Sequence, residues 1–234
     1  MPQSLILIPG LLSDALVWAH LEMAFPELEV YRADVTIDAT IEEMASRIIK
    51  ETTGPCTVVG HSMGGRVAME VARQAPTRVT RLVLANTGHH PLKAGEKEKR
   101  QAKIDQGHAD FAAMVSDWLP PMVAASRHND VFLITTLTEM ASSVGPETHE
   151  RQIRALIARP NAAECLPEIS CPILLITGTE DAWSPEAQHR EMLEMAKNAE
   201  LHVVKGAGHF LPIEQPEEIT RIITEWNERA KDIN

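Results

Sequence analysis

The stretch Gly60-His61-Ser62-Met63-Gly64-Gly65 follows the short apolar run Cys56-Thr57-Val58-Val59 and precedes a helical pattern. A serine in that setting can become a nucleophile. Presenting its hydroxyl at a sharp strand-to-helix turn requires a strained backbone, and glycines two positions before and after leave room for it. Met63 then opens the helix, so its N–H lacks an intrahelical acceptor and can face an oxygen that gains negative charge. A glycine-rich turn that only packs a helix on a sheet has the same letters. The apolar stripe Val67, Met69, Val71 and Ala72, ending just before Pro76, supplies the helix that the nucleophile reading needs.

A serine nucleophile needs a base within hydrogen-bond reach and an acid that orients the base. Two loops that follow strand-like runs can supply them: Gly178-Thr179-Glu180-Asp181-Ala182-Trp183-Ser184-Pro185 and Lys205-Gly206-Ala207-Gly208-His209-Phe210. Glu180 and Asp181 are rivals for the acid, since chemistry alone does not separate neighbours on one loop. Of the ten histidines, His61 adjoins Ser62 but points away from it and reads as a packing residue. His89, His90, His108, His128, His149, His189 and His202 lack a glycine-framed loop and read as surface histidines or as part of a helical insertion. No H-x-x-x-H spacing or cysteine partner suggests a metal site.

The elements that must position these residues follow a rhythm. Strand-like runs fall at 4–8, 29–33, 56–60, 79–85, 172–177 and 201–204, with helical patterns at 15–24, 41–52, 63–75, 185–196 and 216–230. Alternation of strand and helix predicts an α/β fold, a mainly parallel sheet with helices on both faces and the site at the carboxyl ends of the strands. Asn86 to Cys171 is too long for a crossover and must carry its own structure. Helical patterns at 93–106, 110–119, 130–144 and 147–158 predict a small helical cap. Ser13 and Asp14 are placed to cap the helix beginning near Ala15.

Composition narrows the function classes. The chain has 234 residues, 44% of them hydrophobic, and a net charge of -11, so it suits one globular core and offers no basic footprint for nucleic acid or an anionic membrane. Its local basic run, Lys93 to Lys103, is interleaved with Glu96 and Glu98 and reads as a solvated helix face. Cys56, Cys165 and Cys171 leave an odd thiol in any pairing, which points to a reducing, cytoplasmic setting. The apolar residues 5–8 lack preceding basic residues and are cut by Pro9-Gly10, so they read as a strand rather than a targeting signal, and no run is long enough to span a bilayer.

In combination, the elbow around Ser62, the G-x-x-D loop Gly178 to Asp181 and the G-x-G-H loop Gly206 to His209 resemble the α/β-hydrolase superfamily. Within it, the chain resembles the compact capped serine esterase and C–C-hydrolase-like branch over essentially its whole length. The order Ser62, Asp181, His209 is the order of that family. The resemblance implies a core of residues 1–86 and 172–234 with a cap at 87–171, Asp181 as the acid, and the backbone N–H groups of Leu11 and Met63 as an oxyanion hole. It departs from the family at Pro9-Gly10, where His-Gly is common, and at Asp34-Val35-Thr36-Ile37-Asp38, which replaces a G-H-G turn.

The expected activity is cofactor-independent hydrolysis of a small or medium carboxylic ester or thioester through an acyl-enzyme, by a monomer or homodimer. C–C bond hydrolysis, perhydrolysis or a lyase step could use the same residues, and a ligand receptor on the same scaffold is the alternative outside catalysis. Leu12, Met114, Trp118, Met122, Phe132, Trp183 and Phe210 are expected to line an apolar substrate pocket. An arginine in that pocket would instead indicate a charged substrate, with Arg127, Arg154 and Arg159 as candidates.

Overall fold

Strand β1 (Ser4–Ile8) is apolar because both of its faces are buried: Leu5 and Leu7 join one hydrophobic cluster, Ile6 and Ile8 another on the opposite side of the sheet. The same alternation runs through β3 (Cys56–His61), β4 (Val79–Ala85) and β5 (Ile173–Gly178). With β2 (Glu29–Arg32) and β6 (Ala199–Val204) at the edges, the order is β2-β1-β3-β4-β5-β6, and every pairing is parallel. The computed structural model describes residues 4–229.

The helices are α1 (Ala19–Met23), α2 (Ile41–Glu51), α3 (Met63–Gln74), α4 (Glu96–Ala109), α5 (Phe111–Trp118), α6 (Val131–Val144), α7 (Pro146–Ile157), α8 (Glu186–Met195), α9 (Leu211–Glu214) and α10 (Pro216–Arg229). Residues of α2, α3 and α8 bury their apolar stripes on the Ile6 side, while those of α1 and α10 bury theirs on the Leu5 side. The expected single helix at 15–24 is instead a 3-10 turn, Ala15–Trp18, followed by α1. Asp14 caps that turn through the N–H of Leu16 at 2.8 Å. Helix α8 begins one residue later than expected, with Pro185 as its N-cap. Residue 230, the expected end of the last helix, lies outside the described residues.

Between β4 and β5 the chain forms α4 to α7 joined by short 3-10 turns. These helices share the core's hydrophobic clusters: Met114, Val115, Leu133 and Leu137 join the Leu5 side, and Ala155 and Leu156 join the Ile6 side. Polar bonds add to the apolar contact. Gln152 of α7 accepts the Leu12 N–H at 3.1 Å and donates to the Val35 carbonyl at 3.2 Å, so α7 is tied to the loops after β1 and β2.

Candidate functional site

Because β1 and β3 are sheet neighbours, the loops after their carboxyl ends meet. Ser62 sits between β3 and α3 with φ 55° and ψ -117°, a left-handed conformation that costs a non-glycine residue on the order of 1–3 kcal/mol. The close approach around it is real. A Cβ on Gly60 would lie 2.3 Å from the Gly64 carbonyl oxygen, and one on Gly64 would lie 2.4 Å from the carbonyl oxygens of Ile8 and Pro9. The Thr87 hydroxyl donates to the Ser62 carbonyl at 2.6 Å, holding the turn from the segment after β4.

Ser62 Oγ lies 2.8 Å from His209 Nε2, and the other ring nitrogen of His209 lies 2.9 Å and 3.0 Å from the two Asp181 oxygens. The structure thus brings Ser62, His209 and Asp181 into one hydrogen-bonded chain. Asp181 is buried and accepts the N–H groups of Trp183 and Ser184 and the Asn86 side-chain amide, each at 2.9 Å. Burial alone would raise its carboxyl, but the charge and hydrogen bond of His209 and these added donors outweigh it and hold Asp181 well below the usual carboxylate range. Glu180 is exposed and turns away to accept the Ala125 N–H at 2.9 Å. Geometry therefore separates the two neighbours that sequence could not.

Three residues support this chain, of which Asn86 and Glu214 have no signal in the sequence. Asn86, at φ 50° just beyond β4, donates to both Asp181 and the Gly208 carbonyl. His61 Nε2 lies 2.8 Å from the His209 carbonyl oxygen, and burial, then the nearby His209, lowers its pKa to about 3 and keeps the ring neutral. Its bond to the His209 loop fits a packing or supporting residue. Buried Glu214 accepts the N–H groups of Gly208 and Ala124 at 3.1 Å and 2.9 Å, fixing the loop that carries His209.

A cavity of about 650 Å³ opens over Ser62; its wall includes Trp118, Met122, Trp183 and Phe210 of the residues expected to line a pocket, together with Leu11 and Met63, expected as the oxyanion donors. As the first residue of α3, Met63 has no intrahelical acceptor for its N–H. Leu11 lies beside it because Gly10 passes so close that an added Cβ would be 3.0 Å from Ser62 Cβ. The other expected pocket residues lie elsewhere. Phe132 is 83% exposed near the start of α6, whereas Met114 and Leu12 are wholly buried in the Leu5-side cluster, behind the wall rather than on it. Helical spacing marks an apolar face but does not say whether core or cavity meets it.

The basic residues also depart from expectation. Arg127 pairs with Asp130, and Arg154 is exposed beside Glu150, so neither lines the cavity; Arg159 does. The run read as a solvated helix face is exposed at Lys93, Lys97 and Lys99 but also contributes Lys93, Lys99, Arg100 and Lys103 to the cavity wall, and α3 adds Arg66. The cavity wall is therefore part apolar and part basic. His89 and His149 fall in the insertion, as expected, and are buried there, whereas His189 is buried on α8 rather than on the surface; burial shifts all three downward. His89, His90 and Glu191 gather within 4.8 Å, a set that helical metal spacing would not reveal. Burial lowers both imidazoles, with Lys93 and Arg66 adding to the effect and Glu191 opposing it.

Comparison with known proteins gives a family for the fold. A family model described as "Alpha/beta hydrolase family" matches residues 5–222. The sn-1-specific diacylglycerol lipase ABHD11 of Mus musculus is 23% identical over 206 residues, which cover 82% of this chain and 66% of the relative. The 2-hydroxy-6-oxononadienedioate/2-hydroxy-6-oxononatrienedioate hydrolase of Burkholderia vietnamiensis is 28% identical over 189 residues, covering 75% and 63%. The chain thus spans slightly less than two thirds of each of these curated relatives. Among solved structures, a malate-bound thermophilic esterase from Thermogutta terrifontis superposes with a TM-score of 0.89 at 26% identity, covering 97% of this chain and 90% of that one.

Proposed function

The chain belongs to the alpha/beta hydrolase family, and from that premise we propose that it is a serine hydrolase that cleaves a carboxylic ester or thioester through an acyl-enzyme. The observation that carries this reading is the strained Ser62 with its Oγ 2.8 Å from His209 Nε2. Ser62 attacks the carbonyl carbon as His209 takes its proton, and Asp181 holds the opposite ring nitrogen protonated and stabilises the imidazolium. The N–H groups of Leu11 and Met63 receive the oxyanion. His209 then returns its proton to the leaving group and activates the water that releases the acid. The helical segment 87–171 acts as a cap, contributing Trp118 and Met122 to the cavity roof.

The esterase-like relatives support the ester reading. The Burkholderia relative favours a second reading, in which the same three residues cleave a C–C bond. The unpaired Cys56, Cys165 and Cys171 support a cytoplasmic setting. A panel of p-nitrophenyl esters, run beside a CoA thioester and a diketone, tests the proposal: esters or thioesters should turn over, and Ser62→Ala should lose roughly 10⁴-fold or more of kcat. Turnover of the diketone alone would select the second reading.

A further inference from the structure

The basic part of the cavity wall, gathered around Glu96, carries more positive charge than its own residues neutralise. The wall includes Arg66, Arg100, Arg159, Lys93, Lys99 and Lys103 but only one acidic side chain, Glu96. Glu96 is already committed. One of its oxygens accepts Arg100 Nε at 2.7 Å and Arg159 Nη1 at 2.8 Å, and the other accepts Arg159 Nη2 at 2.8 Å and the Lys93 N–H at 3.0 Å. Arg159 is fully used as well, since it also donates to the carbonyls of His90, Pro91 and Leu156. Arg66 and Arg100 are different. Among the described residues, Arg66 makes a single hydrogen bond, to the His90 carbonyl at 3.1 Å, and Arg100 makes one, to Glu96, so each fork keeps most of its donors free.

In a chain of net charge -11, so local a cationic excess needs a cause. Arg66 lies four residues after Ser62 on α3, about 6 Å along the helix axis, and helical side chains lean toward the N-terminus, here toward Ser62. Burial, then the guanidiniums of Arg159 and Arg100, push Arg66 down to about 9, so the group is charged at neutral pH but held at a cost that a nearby anion would relieve.

We propose that the substrate carries a carboxylate, and that Arg66 and Arg100 receive it at the basic part of the cavity wall while Ser62 meets the scissile carbonyl. This inference rests on the hydrolase reading above and narrows its substrate class to esters of short diacids or of hydroxy acids. The planar forks suit a carboxylate's two oxygens.

The test compares three esters of matched length: the p-nitrophenyl hemiester of glutarate, its neutral methyl-capped counterpart, and an acetyl ester with a carboxylate in the alcohol part. At least one anionic ester should exceed the neutral one in kcat/KM by about tenfold to a hundredfold, as charge-assisted hydrogen bonds imply. In Arg66→Gln and Arg100→Gln, measured separately in case one disturbs folding, that ratio should fall toward one; Arg66→Lys should restore part of it. Equal kcat/KM for neutral and anionic esters in the wild type would overturn the proposal. Titration calorimetry with glutarate alone separates this failure from that of the hydrolase reading. Should no ester turn over, binding that Arg66→Gln abolishes still supports the anion site, and no binding overturns it.

Discussion

Replacing Asp181 with asparagine exchanges one oxygen for an NH₂ group and should cost most of the activity. Asp181 Oδ1 accepts the N–H groups of Trp183 and Ser184, each at 2.9 Å, while Oδ2 accepts the Asn86 amide and lies 2.9 Å from His209 Nδ1. An asparagine must keep its carbonyl oxygen toward the two backbone donors, because an amide nitrogen there would leave them buried and unsatisfied at about 1–3 kcal/mol each. Its NH₂ group then faces His209 Nδ1 as a donor. The imidazole has to answer with an unprotonated Nδ1, which places its hydrogen on Nε2 and removes the acceptor that Ser62 needs. Loss of that tautomer and of the carboxylate opposite the imidazolium should lower kcat about 10⁴-fold, about 5.5 kcal/mol of barrier. Glu180→Gln keeps an oxygen for the Ala125 N–H and should stay within about threefold. Steady-state kinetics on a p-nitrophenyl ester compares them. Asp181→Asn within tenfold of wild type, or a crippled Glu180→Gln, would refute the assignment of the acid.

Gly64→Ala should destabilise the fold by about 1–3 kcal/mol, since its Cβ would sit 2.4 Å from two backbone carbonyls of β1 and the following loop and must push α3 away from them; urea unfolding that matches wild type contradicts the close packing. Stability should also fall with acid. His61, His89 and His149 are buried and lowered to about 3, 4 and 4, first by burial and then by a neighbouring histidine in each case. Between about pH 4 and 6.5 the unfolded chain binds these protons and the folded chain does not, so their stabilisation is complete above 6.5 and is lost as pH falls, at up to about 4 kcal/mol per unit for the three together. Glu214, raised by burial, opposes with one proton at most. Urea midpoints at pH 7, 6 and 5 should decline in that order, and a flat series would show that the imidazoles are not held neutral.

The sheet was legible in the sequence because buried parallel strands are apolar on both faces and helices of 3.6-residue period separate them. Ser62 and His209 were legible as candidates because each sits in a glycine-framed turn at a strand end, a local signature, whereas Asp181 was preferred to Glu180 only through the family resemblance until their contacts separated them. What depended on long-range contact was not. Asn86 follows β4 with no motif to mark it, yet reaches Asp181 and Gly208 across the sheet end. Met114 and Phe132 belong to equally apolar helical stripes, but one faces the core and the other faces solvent, a choice made by how α5 and α6 dock. The basic run from Lys93 to Lys103 is largely solvated and holds the i,i+4 pair Arg100–Glu96, as its pattern implies, but its share in the cavity wall was hidden for the same reason. Its alternation with glutamates suits a solvated face, and only the fold brings Arg66 and Arg159 opposite it to make a cavity wall.

The central claim is that Ser62 is a nucleophile activated by His209. Reaction with a fluorophosphonate, followed by intact-mass and peptide mass spectrometry, tests it without knowledge of the substrate, because the reagent bonds covalently only to a serine whose proton a neighbouring base can remove. One adduct per chain, located on Ser62, absent from Ser62→Ala and greatly slowed in His209→Ala, is the expected result. An unlabelled wild-type protein, or an adduct on another residue that persists in Ser62→Ala, would contradict it.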